Sequence, residues 1–202
     1  MRALLTPEDH VIVITPAYQS LLSVAAAAVS NDERNGDGIT TIDVEVISNR
    51  WTIDINKIKL SIKNNTKMMI MNFPHNPTGA LLTKDEQNEI INICKEHKYT
   101  CASNNNNDDG NGNGNSNIIE KEEKGIILFF DEVYRGLEIN HSNRLEPICT
   151  LYDKGISLGV MSKSLGMAGL RIGWLVTQNI EMLNSISMYK HYLSICNSGP
   201  GK

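Results

Sequence analysis

Four short apolar runs, each cut off abruptly by polar, proline or glycine residues, constrain the fold of this chain most. They are Val11–Ile14, Met68–Met71, Ile126–Phe130 and Ser157–Met161. Each is too short for a helix and reads as a buried strand. Helical patterns lie between them. One starts at Thr83, where Thr83 and Glu86 form a capping box (T-x-x-E), and carries Ile90, Ile91 and Cys94 on one face. Others cover roughly Tyr18–Val29, Asp54–Ile62 and Ile180–Tyr192. Strands alternating with helices predict the α/β class: a three-layer α/β/α arrangement around a mostly parallel sheet. No internal repeat of solenoid period is present.

Two polar stretches interrupt this plan. Asn31–Gly38 (NDERNGDG) reads as a loop or turn. Ser103–Asn117 is a run of Asn, Asp, Gly and Ser with too little apolar surface to offset the entropy of ordering it. It is expected to be a disordered insertion in an otherwise single domain spanning residues 1–202. Within and just beyond it, Asp109, Asn111, Asn113, Gly114 and Glu120 satisfy the calcium-loop pattern D-x-[DN]-x-[DN]-G-x5-E. Ser116 stands where such a loop needs an apolar anchor, and a segment of this composition matches by chance, so no metal site is expected.

The totals exclude several classes. The chain has 202 residues, 41% of them hydrophobic, enough for one domain with a core. Its net charge is −4 and it has no basic block, which argues against nucleic acid and gives no sign of a membrane surface. No apolar run approaches bilayer length, and Glu8 and Asp9 interrupt what could resemble a leader. Cys94, Cys101, Cys149 and Cys196 form no C-x-x-C pair, so free thiols and a cytoplasmic location are expected. The five histidines are scattered, with no H-E-x-x-H or Cys/His cluster.

In an open parallel sheet, ligands bind beyond the carboxyl ends of the strands. The first run is followed by Pro16, Ala17 and Tyr18, the second by NFPHNPTG (Asn72–Gly79). After the third come Asp131, Glu132, Val133, Tyr134 and Arg135. After the fourth come Ser162, Lys163, Ser164 and then Gly166, Gly169, Leu170, Arg171 and Gly173. A ring, an amide, an acid with a phenol, and a lysine with an arginine suit a planar, phosphorylated, electron-withdrawing aldehyde.

The blocks NFPHNPTG, FFDEVYRG and SKSLGMAGLRIGW, in that order, resemble the signature blocks of fold-type I, class I/II aminotransferases that use pyridoxal 5'-phosphate. KHYLSICNSGP also resembles the stretch that follows in a capreomycidine synthase-like branch. The resemblance covers most of the chain outside the polar stretches, and it implies the large cofactor-binding domain of that fold, incomplete at both ends.

By this resemblance Lys163 forms the Schiff base with the cofactor aldehyde and later moves a proton as a general base. The alternative is an ordinary surface lysine. Asp131 would keep the cofactor's ring nitrogen protonated, or else cap a helix that follows it. Glu132 beside it reads as less certain, and structural in the simplest case. Asn76 and Tyr134 would hydrogen-bond the ring oxygen; a turn residue and a packed ring are their plain alternatives. Arg171, eight positions after Lys163, would take the phosphate through its planar fork, with a hydroxyl contact from Ser162. Val160 stands where many relatives carry a serine, which puts one phosphate contact in doubt. Tyr18 would stack on the cofactor face, or simply begin a buried helix. The family geometry further implies cis peptide bonds at Asn76–Pro77 and Thr15–Pro16.

The implied substrates are an amino acid and a 2-oxo acid, and the implied assembly of a full-length chain is a homodimer. The implied role is biosynthetic amino acid metabolism by amino-group transfer. A lyase or cyclase on an amino acid uses the same machinery. The resemblance also implies an upstream phosphate loop and a small C-terminal domain, neither of which is found in this sequence. An inert remnant is therefore the reading from a different class.

Overall fold

A computed structural model describes residues 1–29, 38–104 and 118–197, with backbone alone over 100–104 and 118–123. The chain opens with β1 (His10–Thr15), α1 (Gln19–Val29) and β2 (Ile39–Asp43). A small antiparallel hairpin follows, β3 (Glu45–Ile47) against β4 (Arg50–Thr52), and leads into α2 (Ile55–Ser61). Next come β5 (Thr66–Asn72) and α3 (Lys84–Glu96), then an antiparallel ribbon of β6 (Lys98–Asn104) and β7 (Ile118–Lys124). The remainder is β8 (Ile127–Asp131), α4 (Ile148–Leu151), β9 (Gly155–Val160), β10 (Gly173–Val176) and α5 (Ile180–Leu193).

Six strands form the main sheet in the order β10-β9-β8-β5-β1-β2. All neighbouring pairs are parallel except β9 with β10. The predicted three-layer, mostly parallel architecture is what the chain adopts. All four apolar runs lie in this one sheet and, being parallel, end at the same edge.

Alternation along the strands divides the core in two. Ile12, Ile14, Met69, Met71, Leu128 and Phe130 point to the side covered by α2, α3 and α4. Val11, Val13, Met68, Ile70, Ile127 and Phe129 point to the side of α1 and α5. Residues on both faces are almost fully buried, which is why these strands read as unbroken apolar runs. Truncating one such residue, Ile12→Ala for example, costs about 2–5 kcal/mol by lost transfer energy and cavity formation.

Helix starts follow their sequence signals. Thr83 accepts from the Glu86 amide while the Glu86 carboxylate accepts from the Thr83 amide, closing the predicted capping box of α3. Asp54 caps α2 through the Asn56 amide, and Asn179 caps α5 through the Met182 amide.

Three features lie outside the sequence expectation. The strand β2 alternates as ITTID and buries only Ile42, so it lacks an apolar run. The strand β10 has all four residues exposed and is not among the expected strands. The β6–β7 ribbon is polar and stands apart from the main sheet. Ser103 and Asn104, read as the start of the insertion, continue β6; the rest of that segment, 105–117, lies outside the described residues, as does most of the calcium-like pattern. Most of the loop read at Asn31–Gly38 lies there as well, Gly38 alone being described.

Candidate active site

The carboxyl edge of the sheet collects what the four strands deliver. At the end of β8, Asp131 is 7% exposed, and its Oδ1 accepts a hydrogen bond of 3.2 Å from the Val133 amide. This is a local turn bond, and no helix follows it, so Asp131 does not serve as a helix cap. Burial pushes its carboxyl up to about 6, against the pull of the Val133 N–H and the Lys163 charge. Desolvation dominates because the pocket supplies few groups to stabilise the anion.

Asn72, at the end of β5 and facing Asp131 across the ladder, fixes this position. Its Nδ2 donates to the Asp131 carbonyl at 2.8 Å, and its Oδ1 accepts from the Asn76 amide at 3.1 Å. One buried amide thus couples the Asp131 strand end to the Asn76 turn. The sequence alone does not mark Asn72, because its partner Asp131 lies 59 positions away.

Lys163 follows β9. Its Nζ lies over the Tyr134 ring, 5.4 Å from the centroid, within cation–π range. Lys163 is itself exposed, and its side chain reaches back onto the β8 loop. The two loops also abut at Gly136, where an added Cβ would lie 3.5 Å from the Ser164 Cβ. Ser162 is half-buried next to Lys163.

Tyr18 sits after β1 with its ring 66% exposed, so it does not begin α1 as a core aromatic. Its carbonyl accepts from the Leu21 amide, which starts the helix. The Thr15–Pro16, Phe73–Pro74 and Asn76–Pro77 bonds are cis; the first and third were expected, the second was not. Asn76 is exposed at the same edge.

Arg171 is placed differently. It is exposed, holds a left-handed conformation (φ 52°, ψ 39°), and its guanidinium donates to the Ala168 carbonyl at 3.2 Å. It therefore bonds its own loop, and no bond joins it to Lys163 or Asp131. Glu132 points away from this edge, where its Oε1 accepts from the Ile148 amide at 2.9 Å and anchors α4. Burial raises its carboxyl above the usual range, opposed by the Ile148 and Ser157 hydrogen bonds. Its role is structural.

The family model for aminotransferase class I and II matches residues 1–104 and 117–201. The chain belongs to this family. Capreomycidine synthase from Streptomyces vinaceus is 26% identical over 187 residues, covering 93% of this chain and 39% of that protein. A probable kynurenine–oxoglutarate transaminase of Saccharomyces cerevisiae is 25% identical over 213 residues, covering 99% of this chain and 39% of its own length. Among solved structures, a PLP-dependent aminotransferase from Streptococcus suis superposes with a TM-score of 0.70 at 26% identity, over 96% of this chain and 41% of that one. The chain thus spans about two fifths of the length of these relatives.

Class I and II aminotransferases depend on pyridoxal 5'-phosphate. The residues of this aminotransferase-family edge suit that group on one observation in particular. Asp131 is a buried acid whose side chain is bonded by the Val133 amide, and a carboxylate so placed fits a protonated ring nitrogen. Among the described residues no group of three or more His, Cys, Asp or Glu could hold a metal ion, and no helix is long and apolar enough to cross a membrane.

Proposed function

We propose that this edge is the cofactor side of a site that transfers an amino group between an amino acid and a 2-oxo acid. The observation that carries it is the trio Asp131, Tyr134 and Lys163: a buried acid, and a phenol lying under an amine, delivered by adjacent parallel strands.

Pyridoxal 5'-phosphate, when bound, supplies an aldehyde for amine exchange and a ring that accepts electrons. Lys163 supplies the amine that holds the aldehyde and, once displaced by substrate, moves the proton at the substrate's α-carbon. Asp131 keeps the ring nitrogen protonated. Its raised pKa falls when a cation stands opposite it. Tyr134 and Asn76 stabilise the ring oxygen with hydrogen bonds, and Tyr18 offers an exposed ring to the cofactor face. Arg171 and Ser162 take the phosphate. For Arg171 this requires its guanidinium to leave the Ala168 carbonyl, an exchange of one bond to a neutral acceptor for a bidentate pair with an anion.

The test uses the whole protein titrated with pyridoxal 5'-phosphate. Borohydride treatment followed by peptide mapping should find the cofactor mass on Lys163, and Lys163→Ala should remove it. A panel of amino acids with a 2-oxo acid acceptor should then yield the corresponding oxo acid. The likeness to a capreomycidine synthase favours a second outcome, in which an amino acid is converted without oxo acid release. Cofactor on another lysine, or none, would refute the assignment.

A further inference from the structure

His75 lies in the NFPHNPTG block and is 3% exposed, more deeply buried than any residue assigned above to the cofactor. Its backbone closes a tight turn: the His75 amide donates to the Ala80 carbonyl at 2.9 Å, and its carbonyl accepts from the Gly79 amide at 2.8 Å. The imidazole grows from this anchored turn across to the neighbouring strand end. There Nε2 meets the Pro16 carbonyl at 2.9 Å, and Nδ1 meets the Thr78 hydroxyl at 2.7 Å.

The partners assign the proton. The Pro16 oxygen only accepts, so Nε2 carries the hydrogen. Nδ1 is then the acceptor and the Thr78 hydroxyl donates to it, while Thr78 Oγ1 itself accepts from the Ala80 amide at 3.2 Å. Every polar atom of this small network is used by a neutral ring. Burial lowers the pKa of His75, against the pull of the Pro16 carbonyl, in keeping with that state.

The Pro16 carbonyl shares a peptide plane with the Ala17 amide, so holding the oxygen holds the plane that leads directly to Tyr18. Asn76 is covalently next to His75. We propose that His75 is a positioning residue that locks the Tyr18 ring and the Asn76 amide at a fixed separation across the cofactor site. The inference rests on the proposed function, because the two groups it spaces are those assigned to the cofactor's face and ring oxygen.

Two substitutions separate the bonds. In His75→Gln the amide nitrogen reaches where Nε2 was and keeps the bond to Pro16. In His75→Asn the shorter side chain occupies the Nδ1 position and keeps only the bond to Thr78. In the whole protein, His75→Asn should bind pyridoxal 5'-phosphate about tenfold more weakly, on the order of one buried hydrogen bond. It should also lose much of the visible circular dichroism per bound cofactor, a signal that reports how rigidly the ring is held. His75→Gln should restore both values towards the parent. His75→Phe, which keeps ring packing on Phe73 but no polar atom, should follow His75→Asn.

Equal binding and equal dichroism in the parent, Asn and Gln forms would overturn the proposal. So would losses confined to the thermal midpoint of the cofactor-free protein. Should Asn fail to fold, Gln and Phe still give opposite expectations. If borohydride fixes no cofactor to Lys163 in the parent, the proposed function falls and this inference with it. A parent that is labelled at Lys163, with Asn and Phe forms matching it in binding and dichroism, sinks only the role of His75.

Discussion

The Lys163 ammonium rests over the face of the Tyr134 ring, 5.4 Å from its centroid, and its charge also acts on the buried Asp131. Two adjacent parallel strands produce this meeting. Asp131 ends β8 in register with Leu158 of β9, so the loops leaving both strands start side by side. The amine lies about thirty positions after the acid and the phenol in sequence, yet all three share one corner of the fold.

Asp131 makes the stability of the cofactor-free protein depend on pH. Its carboxyl titrates near 6 in the folded chain, above its ordinary value of 3.8. The folded state therefore holds a proton that the unfolded state has released between those values, and stability falls as pH rises through that window. Above about pH 6 the penalty is complete, up to about 3 kcal/mol. Asp131→Asn should raise the thermal midpoint of the cofactor-free protein at pH 7.5, with the advantage vanishing below about pH 4. Added pyridoxal 5'-phosphate should narrow or reverse the difference, because the form with a carboxylate gains an ion pair to the ring nitrogen that Asn cannot make. Identical melting at pH 7.5 and 4 would show that this acid carries no such cost.

Glycine at the start of β9 is a steric requirement. A Cβ on Gly155 would sit 2.6 Å from the Ile148 carbonyl oxygen and 2.9 Å from that of Tyr152. Both are backbone atoms of α4 and its end, so no side chain can swing aside. Gly155→Ala should cost about 1–3 kcal/mol in denaturant unfolding. Gly169→Ala, in the exposed turn before Arg171, meets nothing within 4 Å and should stay within about 0.5 kcal/mol. Equal effects at the two sites would contradict this packing.

Much of this architecture is legible in the sequence because each strand is buried on both faces and so appears as an unbroken apolar run. The elements that escape are those without such burial. β2 keeps one buried side chain, and β10 exposes Trp174, Leu175 and Val176, so neither carries a period. Site residues are legible where a charged or aromatic group follows a strand directly, as Asp131 and Tyr18 do. Asn72 and His75 are not, because their importance lies in contacts to residues 59 positions away, Asp131 and Pro16 respectively. Arg171 shows the reverse case: the resemblance implies a phosphate ligand, yet its exposed guanidinium bonds the Ala168 carbonyl of its own loop.

The cap of α3 links the helix to the β3–β4 hairpin. Glu86 accepts from the Thr83 amide, from the Thr52 hydroxyl at 2.6 Å and from the Arg50 guanidinium. Burial opposes its ionisation, but these donors outweigh it and hold the carboxyl below its usual range. Thr83→Ala should cost about 1 kcal/mol, the worth of an N-cap. Glu86→Gln should cost at least as much at pH 7 and less at pH 3, because a carboxyl held below its usual range loses its stabilising contribution as pH falls. A larger deficit for Glu86→Gln at pH 3 than at pH 7 would reverse the expected sign.

Lys163 and Asp131 should fail in different ways when replaced in the whole protein. Lys163→Ala removes the amine that holds the cofactor aldehyde. The pocket should still bind pyridoxal 5'-phosphate reversibly through Asp131 and the phosphate ligands, so the cofactor leaves on dialysis and borohydride fixes none of it. Asp131→Ala should keep the covalent link, since the amine is intact and the site loses a charge that is costly to bury when unpaired. Turnover should nevertheless fall by about 10²–10³, because the ring nitrogen loses its partner where charge develops during the reaction. The loss should appear in kcat more than in KM, as expected for an interaction that strengthens in the transition state. Asp131→Glu keeps the charge at a different reach and should recover part of the rate. A shared folding defect would lower cofactor retention and turnover together in both variants, so opposite patterns of retention separate the two roles. Full activity in Asp131→Ala, or a borohydride-stable link in Lys163→Ala, would place the acid or the amine on other residues.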